Sequence, residues 1–148
     1  MKSNPAPELP GQAALEAVAF GSVAVTTRAL ATVGLELTFA QWRVLVIVGE
    51  RPDGATVTEI AARLGAEISP VSRLVSRIAR RGLVATGKDD RDRRVTRVTI
   101  TDAGRDLRRT VLARRRALLR EVLAVAGPIE PDAEAALGRI GDAFRPYT

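Results

Sequence analysis

The stretch 88-KDDRDRRVTRVTITDAG-104 begins with an unbroken run of charges from Lys88 to Arg94. It passes directly into a segment in which Val98 and Ile100 alternate with Arg97 and Thr99. Apolar and polar residues alternating with a period of two mark a half-buried strand. The preceding "LVAT", residues 83–86, has the same character, so the two segments predict a hairpin with residues 87–94 at its tip. Thr101 stands where a hydroxyl can cap a long helix, "DAGRDLRRTVLARRRALLREVLAVA". Its Leu107, Val111, Leu118 and Val122 share one stripe, and Gly127 and Pro128 end it.

Immediately upstream lie two short helices. Thr56 and Glu59 form a capping box that opens "VTEIAARL", and Gly65 closes it. In "AEISPVSRLVSRIARRG" the apolar Val71, Leu74, Val75 and Ile78 define one face. Ser72, Arg73, Ser76, Arg77 and Arg80 fall largely on the other. The best local start for this second helix is Ser69 as N-cap with Pro70 at the first helical position, where the missing N–H costs nothing. A start at Glu67 would still leave Pro70 within the first turn. Two short helices joined by a turn form a helix-turn-helix, and a basic hairpin directly after it makes a winged helix.

Further out, Leu15, Val18, Ala19, Ser22, Val25, Ala29, Leu30 and Val33 keep amphipathic helical spacing between Gln12 and the stop at Gly34. Thr38 and Gln41 form another capping box, ahead of "FAQWRVLVIVGE". Asp132 is expected to cap a last helix carrying Ala133, Leu137, Ile140 and Phe144. Residues 1–11, with three prolines, read as a disordered tail. The fold class expected is mostly α with a small β-hairpin, an α+β winged helix-turn-helix within one domain.

Composition removes whole classes of chemistry. The chain of 148 residues has no cysteine and no histidine, which excludes disulfides, thiolate nucleophiles, imidazole acid–base catalysis and Cys/His zinc sites. No metal site and no cofactor are expected, and no glycine-rich phosphate loop or nucleophile–base pair suggests an enzyme. The longest strictly aliphatic run, Val44 to Val48, is far short of a membrane span, so a cytoplasmic protein with no membrane partner is expected.

Charge is segregated. Residues 69–120 hold 16 Lys+Arg against 5 Asp+Glu, a net of +11, whereas the remainder holds 7 against 12, a net of −5. A concentrated basic surface points to an anionic partner. Aromatics make up only 3%, which disfavours stacking on single strands and favours duplex DNA. An arginine-bearing ribbon tip suits a minor groove too narrow for a helix. Asp89, Asp90 and Asp92 are expected to hold neighbouring guanidinium groups in place. Arg114, Arg115 and Arg116 point in three directions and read as a solvated face.

"LTFAQWRVLVIV", "TVTEIAARLG", "VSRLVSRIARRGLV" and "DDRDRRVTRVTITDAG" together resemble the successive signatures of the MarR family of bacterial transcription regulators. The resemblance is collinear from about Leu37 to Leu107. It implies a homodimeric repressor on a pseudo-palindromic operator, with residues 12–36 and 103–148 as dimerisation helices and 37–102 as the DNA-binding region. In the recognition helix Ser69, Pro70, Ser72, Arg73, Ser76 and Arg77 would contact double-stranded DNA, and in the wing Arg91, Asp92, Arg93 and Arg94. It further implies a small aromatic or phenolic ligand near Phe20, Phe39, Trp42 and Arg43, although residue by residue these aromatics read as core. One departure is that Pro70 comes later than the family's usual proline. The alternative is a non-specific architectural nucleic-acid-binding protein.

Overall fold

The computed structural model describes residues 9–34, 36–89 and 92–144. In chain order the elements are α1 (Gln12–Ala31), α2 (Phe39–Gly49), β1 (Ala55–Thr56), α3 (Val57–Leu64), α4 (Ile68–Arg80), β2 (Val84–Lys88), β3 (Thr96–Ile100), α5 (Asp102–Ala126) and α6 (Pro131–Ala143). Most of these residues are helical, and one small antiparallel sheet has the order β1-β3-β2.

Both capping boxes form. The Thr38 hydroxyl accepts the Gln41 N–H, and the Gln41 side chain accepts the Thr38 N–H in return. Thr56 and Glu59 do the same for α3. α2 is surrounded, burying Trp42, Val44, Leu45, Ile47 and Val48. Each such aliphatic side chain withdrawn from water contributes about 1.5–3 kcal/mol. Ile60 from α3, Val71, Val75 and Ile78 from α4, Val98 from β3 and Val111 from α5 close the core around it.

The helix-turn-helix depends on Gly65, whose φ of +62° ends α3 in the left-handed region that only glycine enters freely. The chain then reverses over Ala66, and Glu67 in extended geometry becomes the N-cap of α4 without a side-chain cap bond. Ser69 is therefore a first-turn residue and not the N-cap expected from local preference. Pro70 lies at the third helical position, where its N–H would have no partner within the helix.

β2 pairs with β3 from Val84 opposite Ile100 to Lys88 opposite Thr96, so the paired strands reach two residues into the start of the expected tip, and β3 begins at Thr96, one residue later than expected. A third strand joins this ribbon, because Ala55 and Thr56 pair with Val98 and Arg97. Thr101 locks the ribbon to α5. Its hydroxyl donates to the Gly82 carbonyl (2.6 Å) and accepts the Gly104 N–H (3.1 Å). At Gly104 the helix passes so close to β2 that a Cβ would lie 2.1 Å from the Leu83 carbonyl oxygen.

Three expectations at the periphery change. α1 ends at Ala31, and only Thr26, Ala29 and Leu30 are buried along it, against α5. By length and composition alone α1 could cross a bilayer. α6 is capped by Glu130 with Pro131 at the first helical position, not by Asp132, because proline is preset for that place. None of its residues is buried. On α5 Leu107, Val111 and Leu118 are buried, but Val122 is 51% exposed.

Candidate nucleic-acid interface and junction cavity

Val71, Val75 and Ile78 anchor α4 to the core, which turns Ser69, Pro70, Ser72, Arg73, Ser76 and Arg77 outward, all exposed. Helical periodicity alone produces this outcome, since the buried positions recur every three or four residues. Ser76 spends its hydroxyl on the Ser72 carbonyl (2.9 Å), which leaves Ser69, Ser72, Arg73 and Arg77 as the donors on this face.

α4 packs against β2, so the ribbon emerges beside the recognition helix. Arg93 and Arg94 are exposed at its tip, whereas Asp90 and Arg91 lie outside the described residues. Asp89 and Asp92 both have structural partners. Asp89 is buried, and its Oδ2 accepts from Arg97 Nε (2.6 Å) and from a second nitrogen of the same guanidinium. Arg97 also donates to the Asp53 carbonyl (3.3 Å), tying the ribbon to the loop before β1. Among the described residues Asp89 thus fixes Arg97, an arginine on the strand. The Asp92 carboxylate accepts the Arg94 N–H (2.9 Å), and Val95 N–H closes onto the Asp92 carbonyl (2.9 Å). Asp92 therefore shapes the turn from which Arg93 and Arg94 project.

A cavity of about 450 Å³ lies where α1, α2 and α5 meet, lined by Phe39, Trp42 and Arg43 as well as Ser22, Thr26 and Arg115. Phe20 is not part of it and stands 80% exposed. Arg115 departs from the expected solvated face. It donates to the hydroxyls of Thr26 (3.1 Å) and Ser22 (2.8 Å) on α1, while Arg114 and Arg116 beside it are exposed. Sequence periodicity carried no signal for this pairing, because the partners lie 89 and 93 positions apart. A second cavity of about 420 Å³ shares Phe39 and Arg43 and reaches Pro70, Val71 and Leu74 beneath the recognition helix.

Helix-turn-helix, three-stranded ribbon and exposed basic tip define a winged helix-turn-helix protein. The MarR family profile matches residues 35–95, from the approach to α2 to the end of the ribbon's tip, just before β3. Over 70 residues the chain is 36% identical to the HTH-type transcriptional repressor IacR of Pseudomonas putida, covering 47% of this chain and 41% of that protein. The matched region is therefore less than half the length of this curated relative. Two crystal structures align along nearly the whole chain. A MarR-family transcriptional regulator from Rhodococcus sp. RHA1 is 25% identical with a TM-score of 0.71, covering 95% of this chain and 94% of that one. CouR from Rhodococcus jostii RHA1, solved with p-coumaroyl-CoA bound, is 27% identical with a TM-score of 0.68, covering 90% and 89%. Over residues 35–95 the chain is thus similar to the MarR family.

Proposed function

We propose that the protein is a homodimeric, sequence-specific transcriptional repressor acting in the cytoplasm, released from a pseudo-palindromic operator by a small aromatic ligand. The observation that carries this reading is the outer face of α4. There Ser69, Ser72, Arg73 and Arg77 are all exposed on a helix anchored by Val71, Val75 and Ile78, with Arg93 and Arg94 projecting from the adjacent ribbon. A helix of this kind fits the major groove, and arginine on a ribbon fits the narrow minor groove beside it.

Pairing of two copies is supported by apolar side chains left in water on α1, on the end of α5 and on α6. Phe20 (80%), Val125 (91%), Val18 (57%) and Val122 (51%) lead them. Exposed apolar surface on this scale marks an association face. A ligand is supported by the junction cavity, and by the relative CouR having been solved with an aromatic thioester bound.

Selection of bound duplexes from a random pool tests DNA binding and delivers the operator together. Enrichment of an inverted repeat is expected. Duplex binding without sequence enrichment would make the protein an architectural binder, and no duplex binding at all would end the DNA reading.

A further inference from the structure

A cavity of about 370 Å³ lies at the root of the ribbon, lined by Gly49 at the end of α2, Ile100 at the end of β3 and the first turns of α5. Three of its lining residues are cationic, Arg105, Arg108 and Arg109, against the two acids Asp102 and Asp106, a net of one positive charge. Arg105 is fully engaged, because its guanidinium donates to the Asp102 carboxylate (2.7 Å and 3.2 Å) and to the Ile100 carbonyl (3.0 Å). Arg109 is held by Asp106 one turn further on. Arg108 pairs with neither acid.

Arg108 lies across Gly49, where a Cβ would come 3.0 Å from its Cδ and 3.2 Å from its Nε. There its Nε is shut away from water, the one buried side-chain nitrogen or oxygen among the described residues that has no hydrogen-bond partner. A buried donor left unsatisfied costs about 1–3 kcal/mol, and more when it is charged. Such a group calls for an acceptor. The two carboxylates nearest in sequence are already taken by Arg105 and Arg109, so an anion that brings its own oxygens answers both the unmet donor and the net charge.

We propose that this corner binds the phosphate group of a small phosphate monoester, with Arg108 as its principal partner. A terminal phosphate presents three oxygens and a charge of about −1.5 to −2 near neutral pH. Guanidinium N–H groups match such oxygens in pairs. Because Gly49 has no Cβ, the outer bonds of Arg108 have room to turn and bring Nε onto the ligand. The volume falls within the range of about 300–1,000 Å³ typical of small-molecule sites, which leaves space for an organic body beside the phosphate. A backbone phosphodiester has only two free oxygens and carries chain on both sides, so it fits this corner less well. Bound there, the monoester joins α5 to the end of α2 and stabilises the fold by linkage. The proposal does not depend on the regulator reading above.

Titration calorimetry on the full chain with glycerol 3-phosphate, inorganic phosphate and dimethyl phosphate, in Tris chloride at fixed ionic strength, tests the assignment. The first two should bind with dissociation constants below roughly 1 mM, and the diester more weakly than either. Arg108→Gln should weaken glycerol 3-phosphate binding roughly 10- to 100-fold, the span of a charged hydrogen bond, and Arg108→Lys should keep part of it. Asp106→Asn leaves an oxygen for Arg109 but removes a negative charge from the site, so it should tighten binding. Arg114→Gln removes the same charge as Arg108→Gln from an exposed face of α5 and should change nothing. If Arg108→Gln fails to fold, Arg108→Lys and Asp106→Asn carry the comparison.

No binding of either dianion up to roughly 10 mM would overturn the proposal. So would equal losses in Arg108→Gln and Arg114→Gln, which would mean diffuse screening of a basic chain. Titration of a random-sequence duplex over several salt concentrations separates the two sources of phosphate. Arg108→Gln should give the same slope as Arg114→Gln. A slope shallower in Arg108→Gln alone, or dimethyl phosphate binding as tightly as the monoester, would overturn the small-ligand assignment in favour of the DNA backbone. Failure to bind duplex at all would fall on the regulator reading and leave the phosphate site standing.

Discussion

Arg73 and Gly104 represent two kinds of single-residue control. Arg73 stands free on the outer face of α4, where a guanidinium can pair with guanine O6 and N7, a contact that discriminates by roughly 1–3 kcal/mol. Arg73→Ala should therefore weaken operator binding more than random-duplex binding, and parallel titrations on the two duplexes check it. Equal losses would reduce Arg73 to a phosphate contact. Gly104 acts on stability instead. An alanine there would press its Cβ onto the Leu83 carbonyl and Ile100, and overpacking of this kind costs about 1–3 kcal/mol or more. Gly87→Ala, in β2, meets nothing within 4 Å. Thermal unfolding should separate the pair, Gly104→Ala melting well below Gly87→Ala.

At the scale of elements the wing and the start of α3 have separate tests. If Arg94 enters a minor groove, Arg94→Ala should reduce the slope of log K against log salt by about 1–2 per dimer, at about 0.9 per lost phosphate-like contact. It should also flatten any preference for A·T flanks. Arg114→Ala removes the same charge from an exposed face of α5 and serves as control. Identical behaviour of the two variants would mean that the wing is only diffuse positive charge.

The capping box of α3 adds a pH dependence. The Thr56 N–H bonded to the Glu59 carboxylate, and after it the Arg51 guanidinium, hold that carboxyl below its usual value of 4.5. A depressed carboxyl pKa stabilises the fold above the unfolded value, and the contribution is lost as pH falls through the folded one. Glu59→Gln should thus lower the melting temperature at neutral pH and converge with the native chain below about pH 4. Melting curves across that range measure it, and a gap that persists into acid would mean that the loss is not electrostatic.

For the whole molecule the question is what covers the far ends of α1, α5 and α6. The helices that project from the winged core bury few residues, and α6 buries none. Such a surface is stable in water when a second copy covers it. Sedimentation at micromolar concentration should give twice 15.8 kDa, without a folded monomer on dilution. A stable monomer would remove the dimeric operator reading, although α4 and the wing would remain as described.

How much of this was legible in the sequence follows from the range of each interaction. Both capping boxes, the Gly65 stop, the inward stripe of α4 and the hairpin rest on contacts a few residues apart, so spacing and side-chain chemistry alone determined them. The outward placement of Ser69, Ser72, Arg73 and Arg77 came with that stripe. The start of α4 did not, because the turn geometry after Gly65 outweighed the local preference of Ser69 and Pro70. β1 was missed because two residues carry no period, and their pairing with Val98 and Arg97 is a contact some 40 positions away. Asp89 was legible as a carboxylate that holds an arginine, but its partner Arg97 was decided by strand register. The cavity divided in the same way. Phe39, Trp42 and Arg43 share one helix and one stretch of sequence, whereas Ser22, Thr26 and Arg115 reach it from helices about 90 residues apart. Only the packing of α1 on α5 brought them together, since the burial that drives it is non-directional and leaves no spacing to read.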